Sequence, residues 1–64
     1  MRIPRVRERV VIHGREEIYL VVWVDRVRRV ADLIPVNEAV NLEEDVPFAG
    51  IRPWRNTLQG SAAD

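Results

Sequence analysis

The chain has 64 residues, no cysteine, and ten basic side chains balanced by ten acidic ones. One domain of this length lies near the lower limit for independent folding. Without cysteine it has no disulfide, thiolate metal site or thiol redox motif. All ten basic residues are arginine, which excludes Schiff-base chemistry and a phosphate-loop lysine within the chain. Residues 1–29 carry eight arginines and four acids, and residues 30–64 two arginines and six acids, a balance of +4 against −4. Such asymmetry suits head-to-tail association or a side that faces a polyanion. The longest apolar run, from Ile18 to Val24, is far short of the roughly 20 residues that a membrane span needs. The basic start, Met-Arg-Ile-Pro-Arg-Val-Arg, leads into no signal-type apolar region, so a cytoplasmic protein is expected.

Residues 1–7 form a basic arm that Pro4 keeps out of helix, extended or loose. Residues 8–13, Glu-Arg-Val-Val-Ile-His, read as a first strand ended by Gly14. Residues 18–25 form the second strand, and 30–36 the third, with Pro35 near its end. Between them, residues 26–29 make a charged hairpin tip. A helix over 26–34 competes, since Val27, Val30, Ala31 and Ile34 have helical spacing behind Asp25 as a possible cap. The β-branched content of that stretch favours the hairpin. Residues 37–45 read either as a helical turn capped by Asn37 or as a loop entering a strand near 40–42. Residues 46–50, Val-Pro-Phe-Ala-Gly, suggest a turn with 3₁₀ character, 51–54 a closing strand, and 55–64 a disordered tail.

Five short strands, the charged tip and the closing phrase Val-Pro-Phe-Ala-Gly-Ile-Arg-Pro resemble an SH3-like or Tudor-like small β-barrel. The phrase from Val21 to Leu33, Val-Val-Trp-Val-Asp-Arg-Val-Arg-Arg-Val-Ala-Asp-Leu, is similar to the central hairpin of Tudor-like domains. The resemblance covers residues 8–54 and implies an all-β, five-stranded SH3-like barrel. It permits methyl-arginine or methyl-lysine binding, but a cage would need Tyr19, Trp23, Phe48 and Trp54 to converge, and Phe48 suits the core better. The Ala-Leu-Tyr-Asp-Tyr signature of peptide-binding SH3 domains is absent.

Chemistry-bearing residues are scarce, and no enzyme, metal site or cofactor is expected. His13 is the only histidine and reads as a strand-end residue. Thr57 and Ser61 fall in the expected tail, where no base can be held beside them. Glu16–Glu17 and Glu43–Glu44–Asp45 read as solvated surface, because adjacent strand residues point to opposite faces. The second strand, by contrast, is apolar on both faces. If Asp25 pairs with Val30, then Val24, Val22 and Leu20 face Ala31, Leu33 and Pro35, and these six form a core. The opposite face then presents Tyr19, Val21, Trp23, Asp25, Asp32 and Ile34 as a binding surface for a second copy or for a cationic peptide. The alternative function is sequence-independent nucleic-acid binding through Arg26, Arg28 and Arg29, with Arg2, Arg5, Arg7 and Arg9 of the arm.

Overall fold

A computed structural model describes residues 2–38 and 40–55 of the chain. It contains β1 (Arg9–Ile12), β2 (Ile18–Asp25), β3 (Val30–Pro35), β4 (Glu43–Pro47), a 3₁₀ turn (Phe48–Gly50) and β5 (Ile51–Pro53). All pairings are antiparallel, in one sheet of order β4-β3-β2-β1-β5. The chain is therefore all-β, and residues 30–35 are strand rather than helix. The sheet is open: β4 and β5 are its two edges, and the 3₁₀ turn links them without a ladder. The fourth strand starts at Glu43, beyond the segment 40–42 where the sequence offered one. The expected tail lies outside the described residues except for Arg55. Among the described residues no helix is long and apolar enough to cross a membrane.

The core is built in cross-strand rows. Val10, Tyr19 and Pro35 line up across β1, β2 and β3, Val21 faces Leu33, and Val24, Ala31 and Val46 line up across β2, β3 and β4. Val10, Tyr19, Val21, Ala31 and Leu33 are almost fully buried, with Val46 and Phe48 beside them and Ile12, Val24 and Ile51 packed at the margin. Pro35 and Pro4 are buried as well.

This core corrects the expected register. The tip pairing is Asp25 with Val30 and Val24 with Ala31, as the sequence suggested. The ladder then shifts between Val21 and Trp23, so that Val21 rather than Val22 meets Leu33, and Tyr19 rather than Leu20 meets Pro35. Val22 is the extra residue of a β-bulge. Its insertion turns Tyr19 and Val21 inward and Leu20 outward.

The end of the arm is tied to the sheet through a turn. The Arg7 amide donates to Val21 O (2.8 Å), and the Val21 amide donates to Glu8 O (2.9 Å). The Glu8 amide donates to Arg5 O (3.0 Å), closing a four-residue turn whose third residue, Arg7, has φ 76°. A type II turn requires such a positive φ there, and glycine usually supplies it. The β1–β2 connection is closed likewise from Arg15 to Ile12, with Gly14 at φ 85° in the corresponding position.

Both sheet edges are blunted. The Asp45 amide donates to Asp32 Oδ1 (3.0 Å), the Ile51 amide donates to Phe48 O, and Pro47 and Pro53 have no amide hydrogen. These four positions in Asp45–Pro47 and Ile51–Pro53 therefore offer no free amide donor to another strand.

Leu33→Ala should lower stability by about 2–5 kcal/mol, comparable to everything a core of this size supplies. A circular dichroism melt should find that variant largely unfolded at room temperature. Arg7→Gly should raise stability by roughly 0.5–1 kcal/mol, as relief of the left-handed strain exceeds glycine's entropy cost. The same melt should show an increased midpoint.

Candidate functional site

Two surfaces on opposite sides of the sheet have the makings of a site. The outer face follows from alternation along the strands. It carries Ile18, Leu20, Trp23 and Asp25 on β2, Asp32 and Ile34 on β3, Arg9 and Val11 on β1, and Arg52 on β5. Leu20 pairs with Ile34 and with Arg9, Ile18 with Val11, and Trp23 with Asp32. Trp23 is 62% exposed, while Ile18, Leu20 and Ile34 are half-buried.

The expected binding residues divide between the two faces. Trp23, Asp25, Asp32 and Ile34 do share the outer face. Tyr19 and Val21 do not; the bulge places both in the core, at 1% and 0% exposure. Leu20 occupies the outward place they were expected to hold, and a regular ladder through Val22 hides it. The Tyr19 hydroxyl emerges at the core margin, accepting from Arg15 Nη1 (3.2 Å) and donating to Glu17 Oε1 (3.3 Å). Tyr19 and Phe48 are buried and Trp23 is turned outward, so these three do not converge on one mouth.

The two aspartates also have local work. Asp25 Oδ1 accepts the amides of Val27 and Arg28, both at 3.0 Å, and so holds the hairpin tip. Asp32 Oδ1 caps the Asp45 amide at the bend where Asp45 takes φ 55°. Arg28 lies against Asp45 (3.2 Å) and, more loosely, Asp25 (4.0 Å), which holds its guanidinium further into the charged form.

The second surface is where the arm meets the tip. The arm does not cover Trp23. It folds to the other side, beside the inward-facing Val24 and the ring of Phe48. There it leaves a cleft of about 640 Å³ bounded by Arg2, Ile3, Arg5, Val24 and Arg26. A neighbouring cavity of about 350 Å³ is bounded by Ile3, Arg26, Arg29 and Phe48. Arg26 and Ile3 line both, so the two adjoin. The structure thus joins two arginine groups 20-odd residues apart in sequence, excludes Arg28, and sends Arg9 to the opposite face.

Glu8 sets the arm's position. Its carboxylate accepts from Arg2 Nη2 and from the Arg5 amide (3.0 Å). Partial burial pushes the Glu8 carboxyl up, but the Arg2 hydrogen bond, the Arg5 amide and both guanidinium charges outweigh it, and the group sits below its ordinary value of 4.5. His13 is exposed at the end of β1, and only its backbone is engaged, through the Gly50 carbonyl (2.8 Å). Glu43 of the acidic run pairs with Arg15 (3.2 Å). Among the described residues no three His, Asp or Glu side chains are placed to hold a metal ion, and no buried side-chain polar atom lacks a partner.

Comparison with protein-family models, curated proteins and solved structures returned no match.

Because the folded-state value of Glu8 is depressed, its stabilisation of the arm is complete above 4.5 and is lost as the pH falls through the lower folded value. In an NMR titration the Arg5 amide should report this transition with a midpoint below 4.5. A midpoint at or above that value would contradict the assigned pairing.

Proposed function

We propose that this domain is a non-catalytic assembly module of SH3-like outline, and that the outer face around Trp23 joins two copies of the chain. The strand order, with a 3₁₀ turn between the two edge strands, supports that outline. The layout of the outer face carries the assembly reading. Asp25 and Asp32 lie at its tip end on β2 and β3, and Arg9 and Arg52 lie diagonally across on β1 and β5. Between them runs an apolar band of Trp23, Leu20, Ile34 and Ile18. Neither arginine has a carboxylate within 4.0 Å among the described residues.

A two-fold axis crossing that band between Leu20 and Trp23, roughly transverse to the strands, would bring the arginines of each copy toward the aspartates of the other, which is the self-complementarity that an isologous dimer needs. Burying Trp23 and its neighbours would contribute roughly 1.5–3 kcal/mol for each large side chain. The blunted edges disfavour the competing route, strand addition. They also make a face, rather than an edge, the natural meeting surface.

Sedimentation equilibrium should show a dimer that Trp23→Ala converts to monomer. Because Trp23 is largely exposed, that change should move folding stability by no more than about 0.5–1 kcal/mol. The double change Arg9→Glu with Arg52→Glu should weaken the dimer, and high salt should weaken the wild type. A wild type that stays monomeric up to about 1 mM, a weak affinity for any specific dimer, would overturn the reading. If that monomer instead bound an arginine-rich peptide through Trp23, the face would be a cationic-peptide site.

A further inference from the structure

We propose that the joined cleft between the N-terminal arm and the hairpin tip binds the phosphodiester backbone of single-stranded nucleic acid. This surface lies on the opposite side of the sheet from Trp23, and the inference is independent of the assembly reading.

The argument begins with charge. Arg2, Arg5, Arg26 and Arg29 line two adjoining cavities. Of these only Arg2 has a carboxylate partner among the described residues, Glu8. Arg5, Arg26 and Arg29 have none within 4.0 Å. Four guanidinium groups gathered with one carboxylate, Glu8, beside Arg2 and Arg5 repel one another, and an anion that accepts from several of them relieves that repulsion. Arg28, equally basic in sequence, is turned away onto Asp25 and Asp45. The fold therefore separates the tip arginines into one that is neutralised and two that are not.

Shape narrows the ligand. The two adjoining cavities share Ile3 and Arg26 and together offer a trough with room for successive phosphates rather than one small ion. Ile3, Val24 and Phe48 are its apolar lining residues. A duplex about 20 Å across cannot enter a depression of this size, whereas a single strand can. Only Phe48 is aromatic here, and it is 3% exposed, so stacking contributes little and phosphate contacts dominate.

Backbone geometry adds a separate indication. Arg29 has φ 59°, a left-handed conformation that glycine or asparagine adopts more cheaply. An arginine held there lines the second cavity at a cost in stability. Residues that keep such strain gather where function requires them. The trough is also held in place before any ligand arrives, because the Arg7–Val21 and Glu8–Arg5 hydrogen bonds and the Glu8 carboxylate fix the arm.

The test is fluorescence anisotropy with a labelled oligothymidylate of about twelve nucleotides, a length within the range that small β modules cover. Three unpartnered arginines predict a log–log salt slope of about −2, at about 0.7 per phosphate on a single strand. Arg26→Ala and Arg29→Gly should each weaken binding about three- to tenfold at low salt and reduce the slope by about 0.7. Arg29→Gly should at the same time raise the melting temperature, which separates loss of ligand contact from loss of fold. Arg28→Ala should leave binding unchanged. The proposal is overturned by absence of binding at low salt, by Arg29→Gly binding as well as the wild type, or by Arg28→Ala weakening binding as much as Arg26→Ala. Equal affinity for a duplex, or displacement of the strand by a mononucleotide at equal phosphate concentration, would also overturn it. Trp23→Ala should not affect binding, so the failure of one surface does not count against the other.

Discussion

The rest of the structure depends on the hydrogen bonds at Val21. Its amide donates to Glu8 O and its carbonyl accepts from the Arg7 amide, so one residue of β2 holds both the end of β1 and the turn of the arm. The ladder to β3 shifts immediately beyond it. That shift decides which residues of the apolar strand are inside. Tyr19, Val21 and Val24 reach the core, and Leu20 and Trp23 face out. Without the extra residue, two apolar side chains at positions 22 and 20 would fill the interior, and Tyr19 and Val21 would lie outside.

The same point couples the two surfaces. The arm is drawn against β2 at Val21 and folds toward the inner side, where it meets the hairpin tip beside Val24 and Phe48. Because it goes there, nothing in the described chain lies over Trp23. The apolar outer face and the arginine-lined trough are thus two results of one backbone arrangement. Glu8 contributes to both ends of it, through its backbone to Val21 and through its carboxylate to Arg2 and Arg5.

An open five-stranded sheet normally offers two edges for pairing with other chains. Here prolines at 47 and 53, and side-chain or turn acceptors for the Asp45 and Ile51 amides, leave no free amide donor at those four edge positions. The small core leaves little stability in reserve, so keeping the edges closed to strand addition protects the fold from misassembly. It also confines specific contacts to side chains on the faces, where their pattern can discriminate between partners.

Much of the fold is legible in the sequence because it rests on local rules. Alternating β-prone runs, Gly14 at a turn that needs positive φ, and Asp25 before a charged tip identify strands one to three and the tip pairing. Phe48 is the sort of large apolar residue that a short 3₁₀ turn buries. The bulge was not legible. Val22 is neither glycine nor proline and stands among equally apolar neighbours, so no local signal separates the inward from the outward set. The partner of Arg28 was not legible either, since Asp45 is distant in sequence and reaches the tip only through β4. The meeting of Arg2 and Arg5 with Arg26 and Arg29 depends on the arm's turn at Arg7, where the sequence has arginine in place of the expected glycine. The sequence by itself determined the strands and the tip, through propensity and turn chemistry. Only the tertiary structure decided which face of β2 is the core and which arginines share a surface, because both depend on hydrogen bonds between segments far apart in the chain.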